Sequence, residues 1–344
     1  MTRTVLFHEY GGPEVLRVED ADPGEPGPGE VLVRVDAIGL NRAEALFRAG
    51  HYIEPVRKFP AGLGAEAAGV VERVGPGVTG LTAGQPVSVI PAFSQNDHAV
   101  YAERAVVPAA AVLPRPEGLG AVEGAAVWMP YLTAYGAMVQ VGGLQPGDTV
   151  LVNAASSSVG LAALHVAERI GARAIALTRG PAKKEALLRE GAAEVVVTST
   201  DDVPEAVREA TGGRGVELVL DAVAGPGVRE LLGLVAPDGT HIVYGGLSGE
   251  PTPYPGLELG MPPVALRTFL VFETTHRPER LRRAAAFIGA GLRAGAFRAV
   301  VDRTFELADV VEAHRYLDAD DRVGKTVLTV EHVEHVEHVE HVEH

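Results

Sequence analysis

The sequence predicts an α/β protein in which a doubly wound parallel sheet accompanies a second, barrel-like β domain. Strand and helix patterns alternate from Thr149 onward, which is typical of a parallel sheet covered by helices on both faces. Residues 1–110 instead carry short apolar or alternating runs separated by Gly and Pro, as in domains built from many short strands. At 344 residues the chain is also longer than one core usually supports, so two domains are expected.

Composition restricts the classes of partner and site. A formal net charge of -15 disfavours nucleic acid, because phosphate backbones are bound by clustered Lys and Arg. No apolar run reaches the length of a membrane span and the N-terminus lacks an export pattern, so we expect a cytoplasmic protein without a membrane partner. The chain has no cysteine, which excludes disulfides, thiol nucleophiles and zinc sites built on Cys ligands.

The first domain is predicted to run to about residue 122. Its strand-like runs include EVLVRVDAIGL and AAGVVERVGPGV, and one helix is expected from Arg42 to Ala49. A helical period then begins across Glu123 to Val139. This change of period predicts a domain boundary near Val122.

The stretch from Thr149 to Thr178 is predicted to be a strand, tight turn, helix and second strand. Val150–Val152 form a buried-strand run, small residues follow to Gly160, and a helical pattern ends at Gly171. A dinucleotide needs such a turn, because its pyrophosphate requires a tight bend and close approach of the backbone. Ala155 and Ser157 stand where the GxGxxG pattern has its first two glycines, so the pattern is incomplete. The alternative is a small-residue turn of any parallel α/β protein.

Further strands and helices follow in alternation. We predict helices at 182–189, 203–211 and 228–235, and strands at 194–197, 216–222, 241–245 and 267–272. The later segments (helices 279–294 and 308–317, strands 300–305 and 325–330) no longer alternate and are assigned to the first domain. The predicted domains are therefore 1–122 with 273–330, and 123–272. Residues 331–344 repeat VEH and are predicted to be a disordered tail.

With these segments in place, the chain resembles the medium-chain dehydrogenase/reductase superfamily, specifically its zinc-free quinone oxidoreductase, or zeta-crystallin-like, branch. Collinear motifs carry the resemblance: IGLNRAEALFRAGHY at 38–52, GAEAAGVVERVGPGVTGLTAGQPV at 64–87, LTAYGAM at 132–138, NAASSSVG at 153–160, GVELVLDAVAG at 215–225, GGL at 245–247 and AHRYLDADDRVGKTVL at 313–328. The resemblance implies a Rossmann dinucleotide-binding domain, a GroES-like substrate domain and a homodimer that pairs edge strands.

The resemblance also implies that no zinc is bound. Zinc-dependent relatives carry Cys where this chain has Asn41, and Gly-His-Glu where it has Gly64, Ala65 and Glu66. Neither Asn41 nor Ala65 supplies the metal ligand of those relatives. For Glu66 we predict a structural hydrogen-bonding role.

The end of the second strand predicts NADPH as the cofactor. An NAD site usually carries Asp or Glu there to bind the ribose hydroxyls, whereas this chain has Thr178, Arg179 and Gly180. A guanidinium suits the charge of a 2′-phosphate. By resemblance Lys183 also binds that phosphate, while Thr198 replaces a tyrosine of the family pocket. The alternative is a solvated helix start.

Other cofactor contacts are implied by the resemblance or by position. The turn after the first strand is predicted to contact the cofactor at Ala155, Ser156, Ser157, Ser158, Val159 and Gly160. The resemblance implies further contacts at Thr133, Gly245, Gly246, Leu247, Phe269, Leu270, Val271 and Lys325. It places Thr133 beside the nicotinamide and Lys325 near the ribose or carboxamide. Asp221 and Val223 lie at a strand end and so are predicted to face the same crevice. Each of these residues also has a purely structural alternative.

Two residues are candidates for the chemistry. The resemblance gives Tyr52 as a proton donor or oxygen ligand and Asn41 as a neighbour of the substrate carbonyl, with a cleft wall and a loop amide as their alternatives. Trp128 and Tyr131 are candidates for lining a planar substrate, and core packing is equally open. His165 has no Ser or Asp partner at a recognisable spacing, so no hydrolase triad is predicted.

The predicted function is an NADPH-dependent, zinc-independent reductase of quinones or α,β-unsaturated carbonyls, with a small molecule as substrate. Two alternatives stay open: a non-catalytic NADPH-binding regulatory, RNA-binding or structural protein, and a 2-enoyl thioester reductase.

Overall fold

The computed structural model describes residues 1–319 and 322–332. Its strands are β1 (Thr2–Leu6), β2 (Arg17–Ala21), β3 (Glu30–Gly39), β4 (Ala67–Val74), β5 (Pro86–Val89), β6 (Arg104–Pro108), β7 (Val112–Pro114), β8 (Thr149–Val152), β9 (Arg173–Thr178), β10 (Glu194–Val197), β11 (Val216–Asp221), β12 (Val235–Val243), β13 (Ala265–Thr268), β14 (Val301–Glu306) and β15 (Lys325–Thr329). Its α-helices are α1 (Arg42–Arg48), α2 (Ala121–Gly124), α3 (Trp128–Tyr135), α4 (Ser158–Ile170), α5 (Lys184–Arg189), α6 (Val203–Thr211), α7 (Val228–Leu232), α8 (Phe272–Thr275), α9 (Pro278–Arg293) and α10 (Val310–Ala319).

Six strands form a parallel sheet in the order β10-β9-β8-β11-β12-β13. Chain connections leave β8 in opposite directions, towards β9 on one side and β11 on the other. This is the Rossmann strand order, whose ligands bind where the order reverses, at the carboxyl ends of the central strands. The predicted doubly wound parallel sheet is confirmed, and its central strand β8 is fully buried.

A second sheet contains seven strands and is largely antiparallel. Its order is β14-β15-β3-β4-β5-β7. Strand β6 pairs with the first half of β3, residues 30–34, whereas β15 pairs with its end, residues 37–39. The long strand β3 is its centre, because the alternating buried side chains of Val31, Val33 and Val35 lie in the main hydrophobic core. The C-terminal strand β15 pairs with β3 at Val327 and Gly39. This pairing brings Lys325, at the start of β15, to the end of β3.

Three predicted elements differ from the structure. The expected helix 228–235 ends at Leu232, and β12 already begins at Val235. The apolar repeat continues past Gly233, but its last residue, Val235, belongs to the strand and not to the helix. The expected strand 267–272 is β13 followed by α8, because the chain turns after Phe269. The expected helix 123–139 is two short helices and a π-helical segment, Gly136–Val141.

The predicted VEH tail lies mostly outside the described residues, at 333–344. Its first two residues are described and contact the body of the protein: the Glu331 carbonyl accepts a hydrogen bond from Arg3, and the His332 ring lies 2.9 Å from the Val35 carbonyl oxygen. Within 1–319 and 322–332, no helix is long and apolar enough to cross a membrane.

Candidate active site

The turn between β8 and α4, residues 153–160, is here called the dinucleotide turn. Its left-handed residue is Ala154, with φ of 51°, one position before the first glycine position expected at Ala155. Ser157 caps α4, because its hydroxyl accepts the N–H of Gly160 at 3.1 Å. A Cβ on Gly160 would lie 2.5 Å from the Ala155 carbonyl oxygen. The third small-residue position therefore requires glycine, whereas the first two tolerate Ala and Ser.

The dinucleotide turn has the features of a pyrophosphate site. The first N–H groups of α4, at Ser158 and Val159, have no intrahelical acceptor, and the helix dipole favours an anion there. Gly324 crosses above the turn, since its N–H donates to the Ser156 carbonyl at 3.0 Å. Lys183 approaches from the other side, with Nζ 3.3 Å from the Ser156 hydroxyl oxygen. These residues fit a dinucleotide whose phosphates lie against the turn.

The end of β9 has the polar character that a 2′-phosphate requires. Thr178 is buried, and Arg179 directly after it is exposed. Thr198 is exposed at the end of the next strand, where its N–H donates to the Thr178 carbonyl at 2.8 Å. Arg179 therefore follows directly on the strand next to β8, and the contact of Lys183 with Ser156 places that lysine against the turn.

Asp221 is a structural hub at the end of β11. Its Oδ1 accepts hydrogen bonds from Asn153 Nδ2 at 2.9 Å and from the N–H groups of Val223 and Ala224, and its Oδ2 pairs with His241 at 3.0 Å. Burial raises the pKa of the Asp221 carboxyl, but the hydrogen bonds from His241 and the backbone outweigh it, so the pKa lies below its usual value. The structure thus gives the Asp221 side chain internal partners at both oxygens.

The segments after β12 and β13 border the same crevice. The Leu247 N–H donates to the Ala222 carbonyl at 3.0 Å, which places the loop Gly245–Leu247 over the end of β11. Leu247 and Leu270 are exposed, Val271 is half-buried, and Phe269 is 1% exposed. The Phe269 ring therefore belongs to the core, whereas Leu247 and Leu270 face outward.

Sequence reasoning missed Tyr244, which follows β12. Its hydroxyl is buried without a hydrogen-bond partner among the described residues. Burial raises its pKa, and Ser157 of the dinucleotide turn is close enough to oppose that shift. The signal was weak, because Tyr244 lies 87 positions from Ser157 and only strand order brings them together.

The lysine cluster, Asn41, Glu44, Glu66 and Lys325, lies at the ends of β3 and β15. Lys325 Nζ donates to Glu66 Oε2 at 2.6 Å and to Asn41 Oδ1. Glu66 Oε1 accepts the N–H of Met129 at 2.7 Å, so the structural role predicted for Glu66 has a geometric basis. The side chain of Lys325 is 2% exposed, and its ammonium is bound inside the protein instead of extending towards a ribose.

Glu44 is a second buried carboxyl of the lysine cluster. Its Oε2 accepts the backbone N–H of Asn41 at 2.6 Å, at the start of α1. Burial raises the pKa of Glu44 to about 7, against the opposing charge of Lys325. The cluster can therefore gain or lose a proton near neutral pH.

Tyr52 follows α1 and is half-buried. Its ring packs edge-on against Phe47, with centroids 6.1 Å apart. Burial, with the charges of Glu44 and Glu54, raises its pKa to about 12. The phenol stays protonated at neutral pH and can donate a hydrogen bond.

The side chains on α3 are more deeply buried than a substrate wall requires. Trp128 and Tyr131 are 3% and 2% exposed. The Tyr131 hydroxyl donates to His165 Nδ1 at 2.6 Å, because His165 Nε2 must carry the proton that it donates to Glu190 Oε2 at 2.9 Å. The same hydroxyl accepts the N–H of Arg298. The structure favours the core-packing alternative for both rings, and His165, read as ordinary from sequence, belongs to this network.

Thr133, also on α3, is 6% exposed, and its hydroxyl donates to the carbonyl of Met129, one turn earlier, at 2.7 Å. In the described part of the chain, no group of three or more His, Cys, Asp or Glu side chains could hold a metal ion.

Comparison with known proteins gives the family. Two family models match, the Alcohol dehydrogenase GroES-like domain at residues 27–117 and the Zinc-binding dehydrogenase at residues 190–328. A quinone oxidoreductase of Pseudomonas aeruginosa is 34% identical over 95% of this chain and 99% of that protein. A 2-haloacrylate reductase of a Burkholderia species is 32% identical over 95% of this chain and 99% of that protein.

Solved structures agree. The Escherichia coli quinone oxidoreductase complexed with NADPH matches with a TM-score of 0.89 at 28% identity, covering 96% of this chain and all of that one. The seven-stranded sheet accordingly corresponds to a GroES-like domain and the six-stranded parallel sheet to a Rossmann-like one. With these nearly full-length matches, the chain belongs to the medium-chain dehydrogenase/reductase superfamily and is an oxidoreductase of its quinone oxidoreductase group.

Proposed function

We propose that the protein is a zinc-independent, NADPH-dependent reductase of quinones or α,β-unsaturated carbonyls. The observation that carries this proposal is the pairing of two sites: a dinucleotide turn flanked by Arg179 and Lys183, and a substrate side that carries an amide, a phenol and a buried ammonium. The relatives' names, quinone oxidoreductase and 2-haloacrylate reductase, describe conjugated acceptors. Such acceptors take a hydride without needing a metal to polarise an alcohol.

The proposed division of the chain follows from these two sites. Residues 123–272 would form the dinucleotide-binding domain, and residues 1–122 with 273–330 the substrate domain. The Lys325–Glu66 pair links β15 of the second sheet to Met129 on α3. A cleft along this junction would hold the nicotinamide on one side and the acceptor on the other.

Each proposed role follows from the charge changes of the reaction. Bound NADPH would supply a hydride from nicotinamide C4 to the conjugated acceptor. The acceptor oxygen then gains negative charge, which donors already aimed at it stabilise. We assign this task to Asn41 and Tyr52, two half-buried residues that stand before and after α1 and carry hydrogen-bond donors. Arg179 and Lys183 would hold the 2′-phosphate, and the N-terminus of α4 the pyrophosphate.

The test is NADPH consumption with several acceptors. Purified protein is mixed with NADPH or NADH and with 1,4-benzoquinone, 9,10-phenanthrenequinone or a 2-alkenal, in the presence of a metal chelator. We expect turnover with at least one acceptor, a lower KM for NADPH than for NADH, and no effect of the chelator. Tight NADPH binding without turnover of any acceptor would sink the enzyme proposal and favour a regulatory protein.

Two alternatives are distinguished by simple measurements. A 2-enoyl thioester reductase would turn over a crotonyl thioester faster than a quinone. An RNA-binding regulator would retain RNA on a filter in an NADPH-dependent manner, against which the net charge of -15 argues. A cytoplasmic location stays a prediction.

We further propose that the protein is a homodimer through the edge of the Rossmann sheet. Strand β13 pairs with β12 on one side only among the described residues. Tyr254, Leu257 and Met261 are exposed nearby, at 75%, 83% and 69%. An open sheet edge beside apolar side chains favours pairing with a second copy. Light scattering should give twice the chain mass, and Leu257→Asp should reduce it to a monomer, whereas an unchanged mass would refute this surface.

A further inference from the structure

Lys325 places a charged ammonium in the protein interior, at a position where an apolar side chain would avoid the cost of desolvation. Its ammonium lies between Glu66 Oε2, at 2.6 Å, and Asn41 Oδ1. Glu66 is 0% exposed and its second oxygen is held by the Met129 N–H. Buried ion pairs seldom add stability over apolar residues of similar size, because desolvation offsets their attraction. Its stability alone therefore does not explain why the pair is there.

The ammonium determines which way the Asn41 amide faces. An ammonium only donates hydrogen bonds, so the Asn41 group beside it must be the oxygen, Oδ1. Nδ2 then points to the opposite side, where it lies 3.2 Å from the Gly39 carbonyl oxygen and 3.3 Å from Glu44 Oε1. Both distances are at the long end of the range for N–H···O bonds. Both Asn41 amide hydrogens are thus held in long hydrogen bonds on the side away from Lys325, and an acceptor oxygen would compete for them with Gly39 and Glu44.

Within the lysine cluster, only Asn41 is accessible enough to transmit the effect of the Lys325 charge to a bound molecule. Glu44, Glu66 and Lys325 are buried, whereas Asn41 is half-buried. A cation on an amide oxygen draws electron density from the nitrogen, so that its N–H groups become stronger donors. A stronger donor stabilises an acceptor oxygen more as negative charge develops on it.

The backbone around the lysine cluster holds the ammonium in place. A Cβ on Gly39 would lie 2.9 Å from Lys325 Cε and 2.8 Å from Glu66 Oε2, so the pair fits only beside glycine. Gly324, directly before Lys325, donates to Ser156 of the dinucleotide turn. The lysine is therefore anchored both to the end of β3 and to the cofactor side of the site.

We propose that Lys325 is a positioning residue that fixes the orientation of the Asn41 amide and polarises its N–H donors towards the acceptor oxygen. The inference rests on the proposed reductase function and assigns to the buried ammonium a task within it. Lys325 acts through Asn41 and does not touch the acceptor.

The decisive variant removes the ion pair without leaving a charge buried. Lys325→Met alone would strand the Glu66 carboxylate, which is strongly destabilising. The double variant Glu66→Gln/Lys325→Met removes both charges of the pair, and the glutamine oxygen can still accept the Met129 N–H. Loss of the Lys325 charge favours the protonated, neutral form of Glu44, so that no carboxylate is left buried. It is compared with wild type, with Asn41→Ala, and with the triple variant that combines all three changes.

We expect the double variant to bind NADPH within about twofold of wild type, with kcat for the quinone lowered about tenfold or more. Asn41→Ala should lower kcat to a similar degree. The triple variant should be no slower than the double variant, because the double variant has already lost the ammonium that orients the Asn41 amide. Wild-type turnover by the double variant would overturn the proposal. So would a triple variant in which the losses multiply, since Lys325 would then act independently of Asn41.

A second readout does not depend on turnover. The side-chain amide resonances of Asn41, identified by their disappearance in Asn41→Ala, should move in the double variant because the cation on Oδ1 is gone. Unchanged resonances would refute the contact even if no acceptor were ever found. Conversely, a shifted resonance in a protein without any turnover would leave Lys325 orienting Asn41 and would refute only the reductase function.

Discussion

The dinucleotide turn and the lysine cluster are built by different means. The turn, residues 153–160, uses backbone N–H groups, a serine cap and one glycine, all within eight consecutive residues. The lysine cluster draws Asn41, Glu44, Glu66 and Lys325 from distant parts of the chain and relies on buried charge. The first site depends on backbone shape and the second on electrostatics.

The difference separates two kinds of failure. A change in the turn should affect cofactor affinity, because pyrophosphate needs a free helix N-terminus and close approach of the backbone. A change in the lysine cluster should affect the chemical step at unchanged cofactor affinity, since the cluster acts where negative charge develops. Variants that moved both quantities together would show that the two regions are one mechanical unit.

The largest effects should come from the two glycines at these sites. In Gly160→Ala, Cβ would lie 2.5 Å from the Ala155 carbonyl oxygen, and in Gly39→Ala it would lie 2.0 Å from that of Ala125. Each clash is with backbone, so we expect a loss of about 3 kcal/mol or more in unfolding free energy. Denaturant unfolding measures this loss.

The two glycine variants should then differ in function. Gly160→Ala should raise the NADPH Kd at least a hundredfold, measured by nucleotide fluorescence, whereas Gly39→Ala should leave that Kd near wild type and lower kcat. Gly227→Ala is the matched control, because Gly227 is exposed and a Cβ there would meet no atom within 4 Å. Equal loss of NADPH affinity in both variants would contradict the separation of the two sites.

Glu44 should give the next largest effect, on the pH dependence of stability. Its folded pKa is raised from 4.5 to about 7 by burial, so the folded protein binds the proton more tightly than the unfolded chain. Stability is therefore lost as pH rises from about 4.5 to about 7, by about 3 kcal/mol at most. In Glu44→Gln this loss should be absent: urea unfolding at pH 4.5 should match wild type, and at pH 8 the variant should be more stable.

His314 provides the control of opposite sign. Burial, with the charges of Arg48 and Arg42, lowers its pKa to about 3, so the unfolded chain takes up the proton first as pH falls below about 6.5. Its contribution to stability is lost on acidification and should persist in Glu44→Gln. A Glu44→Gln variant with the same pH profile as wild type would show that Glu44 has no raised pKa.

Local patterns account for what could be predicted from sequence. The unit from β8 to β9 could be predicted because its strands, turn and helix are contiguous, and because the strands and the helix each show the apolar pattern of their type. The same is true of α6, whose predicted bounds match the structure because Asp202 caps it and Gly212 ends it. By contrast, β12 was mistaken for helix over Val235, where the apolar repeat suits either structure.

The lysine cluster could not be predicted in this way. Glu66 and Lys325 lie 259 positions apart and meet only because β15 pairs with β3. A lone lysine before an apolar strand reads as a surface residue or a cofactor contact. The same limit applies to Tyr131 and His165, whose hydrogen bond joins α3 to α4 across 34 positions. The partners of buried charged and polar groups are determined by tertiary packing, and they cannot be predicted from spacing along the chain.

Arg179 tests the cofactor side with an intermediate effect. If its guanidinium binds a 2′-phosphate, Arg179→Ala should raise the KM for NADPH about tenfold, roughly 1.4 kcal/mol, and leave the KM for NADH unchanged. Steady-state kinetics with both nucleotides measure this. Arg189→Ala is the matched control, since Arg189 is exposed on α5 and its ion pair with Glu185 is long, at 3.9 Å, and therefore weak. Equal effects on both nucleotides would remove Arg179 from the 2′-phosphate site.

Tyr52 should give the smallest effect, because its role on the substrate side is that of one neutral donor. With its pKa raised to about 12, the phenol is too weak an acid to transfer its proton readily near neutral pH, since catalytic acids work best with a pKa close to the working pH. It can still donate one hydrogen bond, worth about 1 kcal/mol. Tyr52→Phe keeps the edge-on packing against Phe47, so kcat/KM should fall only about fivefold, with unchanged NADPH affinity. A fall of a hundredfold or more would instead make Tyr52 the proton donor, and would shift the chemistry of the substrate side from the lysine cluster to the Tyr52 phenol.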